Sequence, residues 1–173
     1  LVYRELLQVV GEDRVTMNEA ICAVHGTTTI GWMIHSPPDM VVQPRTVEEV
    51  QAIMRIANKY KAPVQISTTA QTAGSSVPHL GGILLDLQAM RGCEIHPEEG
   101  FAVIEPGVTY AQLCLEAHKH GYTVPLGTFP PFTCVISNLL VSGAVHRHVT
   151  NGVGGKNMFF GMQVVLPTGD LLS

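Results

Sequence analysis

The sequence predicts an α+β fold of two lobes, a small α/β lobe over residues 1 to about 88 and a mixed or antiparallel sheet lobe with helices over about 89 to 173, together one domain. Three observations point there. An amphipathic helix lies between two apolar strands in residues 40–66, which makes a βαβ unit. Pro97-Glu-Glu-Gly100 joins two short strands as a hairpin with glycine closing the turn. Phe101 to Leu113 reads as a strand, a tight Pro-Gly turn and a capped helix start. At 46% apolar residues, a 173-residue chain can build one ordinary core or two small lobes sharing one.

The elements follow in order. Val2, Leu6, Leu7 and Val10 are spaced as one helical face, and Gly11 ends it. Residues 12–38 carry the only tryptophan, Trp32, and a Ser-Pro-Pro break at 36–38, and are expected to be extended and irregular. Met40 to Pro44 is a short buried strand ending at its proline. Thr46-Val-Glu-Glu49 is a capping box, opening a helix to about Lys61 with Val47, Val50, Ile53, Met54 and Ala57 inward and Glu48, Glu49, Gln51, Arg55 and Lys59 outward. Ala62 to Ile66 returns as a second strand, and such a parallel unit takes a right-handed crossover. Residues 67–80, small and polar without apolar period, form a loop. Gly82 to Leu87 is a third strand, apolar without interruption as in a sheet covered on both faces.

In the second lobe, Cys93–His96 and Phe101–Glu105 flank the hairpin turn. Thr109-x-x-Gln112 is a second capping box, for a helix through Leu113, Leu115 and Ala117 that stops at Gly121. A Pro/Gly-rich crossing over 125–132 leads to a short helix in 133–141, then to a glycine-rich run in 149–156. Residues 158–166 are strand-like, and Pro167-Thr-Gly-Asp170 turns the chain back as Leu171-Leu172.

Composition excludes several classes of function. A net charge of −4 with scattered Lys and Arg offers no basic face for nucleic acid. No stretch reaches the roughly 18 to 20 consecutive apolar residues of a membrane-spanning helix. Cys22, Cys93, Cys114 and Cys134 form no C-x-x-C pair, which points to free or buried thiols and a cytoplasmic compartment rather than to zinc. A start at Leu1 rather than Met reads as a processed chain or a fragment.

Three loops of small residues carry the chemistry: 67–76, 106–109 and 137–155. Small side chains let backbone amides approach a ligand. The N–H groups of Gly107, Val108 and Thr109, at a helix N-terminus, are expected to hold an anion, most simply a pyrophosphate.

Four segments in this order, Gln43-Pro-Arg-Thr-Val-Glu-Glu-Val50, Gly82-Ile-Leu-Leu-Asp-Leu-Gln-Ala-Met90, Ile104-Glu-Pro-Gly-Val-Thr-Tyr110 and Gly161-Met-Gln-Val-Val-Leu-Pro-Thr-Gly-Asp170, give the chain a specific likeness. It resembles the FAD-binding (PCMH-type) domain of the vanillyl-alcohol oxidase and 4-cresol dehydrogenase superfamily of flavoproteins, and is similar to those of glycolate and D-lactate dehydrogenases. The resemblance implies FAD between the lobes, with a pyrophosphate loop of Ser67, Thr68, Thr69, Ala70, Gln71, Thr72, Gly74 and Ser75. It implies further contacts at Pro106, Gly107, Val108, Thr109, Ser137, Asn138 and Gly143, with Val164 in the segment that meets the adenine half. These contacts are mostly main-chain.

The resemblance further implies oxidation of a phenolic alcohol or 4-alkylphenol, favoured by the Ile66-Ser67 start of the loop and the Glu-Pro-Gly-Val-Thr-Tyr string, or of a 2-hydroxy acid. It implies that catalytic residues lie in a cap domain or partner subunit beyond Ser173, in a protein that forms homo- or hetero-oligomers. Two departures stand out: Thr68, Thr69, Ala70 and Thr72 occupy a loop that the family fills with glycines, and Ser137 replaces a glycine. They leave a rival reading, a non-catalytic domain of the same fold that has lost FAD and serves as a binding or structural subunit. Hydroxyls of Ser67, Thr68, Thr69, Ser75 and Ser76 can still donate to phosphate oxygens. His79 lacks the Gly-Gly-His context of covalent flavin attachment, so the cofactor is expected to be non-covalent. His146 and His148 lack a visible third ligand and read as surface or supporting residues rather than a metal site. Tyr110 and Gln112 read as packing and cap, and Asp86 as a carboxylate bonding nearby loop amides.

Overall fold

A computed structural model describes residues 1–26, 37–69, 81–124, 130–141 and 159–173. In chain order the elements are α1 (Val2–Val10), a 3-10 turn (Glu12–Arg14), β1 (Val15–Thr16), α2 (Glu19–His25), β2 (Met40–Val42), α3 (Val47–Tyr60), β3 (Val64–Ser67), β4 (Ile83–Asp86), β5 (Cys93–His96), β6 (Phe101–Ile104), α4 (Tyr110–His118), α5 (Val135–Val141), β7 (Val164–Val165) and β8 (Leu171–Leu172). They fall into two compact units, residues 1–89 with 161–173, and residues 90–160. The fold class agrees with the sequence-based expectation of an α+β chain, and the element order agrees with it outside residues 12–38.

The first unit is built on a four-stranded sheet in the order β1-β2-β4-β3. β4 pairs in parallel with both β2 and β3, in register Val41↔Leu84 and Ile66↔Leu85, so the two strands joined by α3 flank β4 rather than each other. All four β4 residues are buried, as its unbroken apolar run requires. β1 adds antiparallel to β2. Leu6 and Val10 of α1, and Ile53, Ile56 and Ala57 of α3, are buried. Ile56 belongs to the inward face although the sequence reading omitted it. Gly82 enters β4 at φ +87, where an added Cβ would lie 2.5 Å from the Pro63 carbonyl oxygen. Its N–H donates to Asp39 Oδ2 at 2.7 Å.

Residues 12–38 depart from the irregular chain expected of them. The 3-10 turn and β1 precede α2, which Asn18 caps by accepting from the N–H groups of Ala20 and Ile21. Only Cys22 of α2 is buried, so the helix carries no apolar stripe for a periodicity argument to find. Trp32 lies outside the described residues.

The C-terminal hairpin corrects the second boundary. Expected in the second lobe, residues 161–173 belong to the first unit. The Gly169 carbonyl accepts from Gln51 Nε2 at 2.8 Å and Arg55 Nη2 at 3.0 Å, both on α3. Gly169 has φ +83, and a Cβ there would meet Arg55 Cγ at 2.4 Å. The polar face of α3 is therefore partly a docking surface, which outward-pointing Gln and Arg do not announce.

The second unit holds the antiparallel hairpin β5–β6, in register Cys93↔Ile104 through His96↔Phe101, with α4 and α5. Its core is Val108, Tyr110, Leu113, Val135 and Leu139, against which Cys93, Ile95, Ala102 and Ile104 of the hairpin pack. Leu115 points outward at 66% exposure.

Candidate cofactor site

Two groups of the expected site residues can be described, one in each unit. In the first unit they gather at the C-terminal end of the parallel strands, where ligands of α/β sheets commonly sit. Ser67 ends β3 and is paired in register with Asp86 at the end of β4. Both are buried, as is Thr68; Thr69 is half-buried. The Ser67 carbonyl accepts from the Leu87 N–H at 2.9 Å, and its hydroxyl donates to the Thr68 carbonyl at 3.3 Å.

Both oxygens of the Asp86 carboxylate accept hydrogen bonds. Oδ2 accepts from Gln43 Nε2 at 2.8 Å and Oδ1 from the Gln88 N–H at 3.0 Å, the amide-bonding role read from the sequence. Gln43 thereby offsets a buried carboxylate beside the start of the loop. Ala70, Gln71, Thr72, Gly74 and Ser75, with Ser76, His79, Gly143, His146 and His148, lie outside the described residues.

In the second unit the chain from Glu105 to Tyr110 is pinned on both sides. The Glu105 side chain accepts from the Gly92 N–H at 2.5 Å, and Gly107 donates to the Met90 carbonyl at 2.7 Å. Val108 donates to the Glu105 carbonyl at 3.1 Å, closing the Pro106-Gly107 turn. Thr109 bridges antiparallel to Cys134, flanked by bonds from Tyr110 N–H to the Thr133 carbonyl and from Val135 N–H to the Val108 carbonyl.

These bonds engage most of the amides expected to hold an anion. Gly107 and Val108 have spent their N–H groups on carbonyls. The first turn of α4 is likewise closed: Tyr110 N–H donates to Thr133, Ala111 N–H to the Pro131 carbonyl, and Gln112 N–H to Thr109 Oγ1 at 3.3 Å. The Gln112 side chain reaches Arg91 O at 2.8 Å instead of returning to Thr109, so only half the capping box forms. Of the three amides, that of Thr109 alone has no partner among the described residues. A helix N-terminus holds an anion only through unspent donors, and neighbouring loops have taken most of these.

Asn138 contributes more than the sequence reading asked of it. It is 1% exposed, and its Oδ1 accepts from the Tyr110 hydroxyl at 3.0 Å. Its Nδ2 is buried without a partner, as is Thr133 Oγ1. Leaving a buried donor unsatisfied costs about 1–3 kcal/mol, so natural proteins seldom do so without a use for it. Tyr110 is itself 2% exposed, and burial raises its phenol to about 12, which keeps it a neutral donor. Its role was legible only as packing, although a buried tyrosine generally needs a partner for its hydroxyl. Ser137 is half-buried, its hydroxyl donating to the Cys134 carbonyl at 3.3 Å. Val164, on the β7–β8 hairpin of the first unit, is 38% exposed.

In the second unit, the buried Asn138 amide donor without a partner and a Thr109 N–H with no partner among the described residues suit a ligand with acceptor oxygens; in the first unit, small hydroxyl residues end β3. Among the described residues no three His, Cys, Asp or Glu side chains converge on a metal position, and no helix is long and apolar enough to cross a membrane. None of the four cysteines forms a disulfide.

Comparison with known proteins agrees with this chemistry. Residues 38–173 match the family of FAD binding domains. The chain belongs to that family, and FAD is its cofactor. It is 32% identical over 144 residues to the 4-cresol dehydrogenase [hydroxylating] flavoprotein subunit of Pseudomonas putida, covering 78% of this chain and 26% of that protein. It is 27% identical over 137 residues to the mitochondrial D-lactate dehydrogenase [cytochrome] of Arabidopsis thaliana, covering 78% of this chain and 24% of the other. The solved structure of 4-ethylphenol oxidase from Gulosibacter chungangensis in its isoeugenol complex superimposes with a TM-score of 0.83 at 28% identity, over 99% of this chain and 34% of that one. The chain thus spans about a quarter of the length of these curated relatives.

Proposed function

We propose that this FAD domain serves a flavin-dependent dehydrogenase or oxidase of para-substituted phenols, either 4-alkylphenols or phenolic alcohols. The similarity to the 4-cresol dehydrogenase flavoprotein subunit carries this reading, and the likeness to 4-ethylphenol oxidase supports it. The similarity to D-lactate dehydrogenase favours a second reading, oxidation of a 2-hydroxy acid. When bound, FAD supplies a hydride acceptor at its flavin N5. The chain's own residues that hold and orient it in the second unit are Thr109 with its backbone N–H and Asn138 with its side-chain amide. The binding is non-covalent.

Substrate is met by residues outside this chain, in a cap domain or a partner subunit of a homo- or hetero-oligomer. In support, both oxygens of the buried Asp86 carboxylate in the first unit already accept hydrogen bonds from this chain. Four cysteines without a disulfide among them support a cytoplasmic setting. The test is anaerobic mixing of the FAD-loaded full-length protein with 4-ethylphenol, vanillyl alcohol, D-lactate or glycolate. Bleaching of the flavin by the phenols and not by the acids is expected. Bleaching by D-lactate or glycolate alone would move the assignment to the second reading.

A further inference from the structure

The pair Tyr110–Asn138 assigns a role to a residue that packing alone does not explain. An asparagine side chain has two polar ends, and here they have different fates: Oδ1 accepts from the Tyr110 hydroxyl at 3.0 Å, while the buried Nδ2 has no partner. The phenol hydrogen needs an acceptor in this interior, and Asn138 Oδ1 supplies it. Turning the amide over would take that acceptor away, so Tyr110 fixes which end is left unspent. Backbone bonds on either side of the Thr109–Cys134 bridge hold both residues in place, one at the start of α4 and the other within α5. The outcome is a rigid, desolvated amide donor awaiting an acceptor.

We infer that Tyr110 is a positioning residue for FAD, holding the Asn138 amide so that its NH2 group donates to an acceptor atom of the cofactor. The inference rests on the assignment of Asn138 as a cofactor contact and goes beyond it. Tyr110 never touches the cofactor in this arrangement; it acts through Asn138, so the two residues are coupled in binding.

A double-mutant cycle on the full chain tests it, with the dissociation constant for FAD read from flavin fluorescence and folding of each variant read from thermal unfolding without cofactor. Asn138→Asp keeps an acceptor for Tyr110 while removing the NH2, and Tyr110→Phe frees the amide while keeping the ring. Each single change should weaken FAD binding about tenfold or more, and the double variant should bind no worse than the weaker single one. Multiplicative losses in the double variant, or a Tyr110→Phe chain that melts lower yet binds FAD like the wild type, would overturn the inference and leave Tyr110 a structural residue. Failure of the wild-type chain itself to bind FAD would instead overturn the cofactor assignment, and the inference with it.

Discussion

Glu49 works in two places at once, and the sequence shows only one of them. As the fourth residue of a capping box it was expected to face solvent. In the structure its carboxylate accepts both Arg14 nitrogens at 2.7 Å and the Arg45 N–H at 2.7 Å, tying α3 to the turn before β1. The Arg14 guanidinium is the main reason its pKa lies below the ordinary 4.5. With the folded pKa depressed, the stabilisation is complete above about pH 4.5 and is lost as pH falls through the folded value. Glu49→Gln should cost about 1 kcal/mol at pH 7, a modest figure because the pair is partly solvated. Urea midpoints of variant and wild type should converge by pH 3. A gap that stays constant with pH would mean that the ion pair is not its source. The partner of this bond was illegible because Arg14 is 35 residues away in a segment without periodicity.

At the scale of elements, caps and turns were more legible than contacts. Both strands of the β5–β6 hairpin, the end of α1 at Gly11 and the start of α3 at Thr46 follow from Gly, Pro and Thr chemistry within a few residues, and all appear where the sequence puts them. The far end of α3 is less ideal: Lys61 takes the left-handed conformation at φ 54, which glycine adopts without penalty. Lys61→Gly should therefore stabilise the protein by about 0.5 kcal/mol, raising its urea midpoint, the residual cost being glycine's greater freedom in the unfolded chain. Gly169 makes the opposite case. Gly169→Ala places a methyl against Arg55 and the Gln51 carbonyl and should cost about 1–3 kcal/mol. Faster proteolytic cutting near residues 161–173 should accompany it. If cleavage and unfolding are both unchanged, the docking of the hairpin on α3 is not what holds it. Sequence found this turn, through Pro167-Thr-Gly-Asp170, but not its seat, which depends on the outer face of a helix distant in the chain. α2 was missed for the converse reason, since Ile21 and Val24 are exposed and only Cys22 is buried.

For the whole molecule, the family was legible because four motifs occur in order, and the match over residues 38–173 agrees with them. The site was less so. Main-chain donors were assigned from the Pro-Gly turn, yet the Gly107 and Val108 amides are spent within the second unit, and Asn138 Nδ2 and Thr133 Oγ1 are buried side-chain groups without a partner. Hydrogen-bond accounts of this kind depend on pairing between segments far apart in the chain, which composition and spacing do not reveal. If the spent amides are structural and the unspent ones wait for FAD, cofactor binding should stabilise the fold by linkage. At a hundredfold excess over the dissociation constant the gain is about 2.7 kcal/mol, a rise of roughly 5–10 °C in melting temperature for a domain of this size. The most direct measurement is a titration of the purified chain with FAD, followed by desalting, an absorption spectrum and a melt. One equivalent of retained flavin, with bands near about 370 and 450 nm and the higher melting temperature, is the expected result; a colourless chain whose melting point does not move with added FAD would contradict the account.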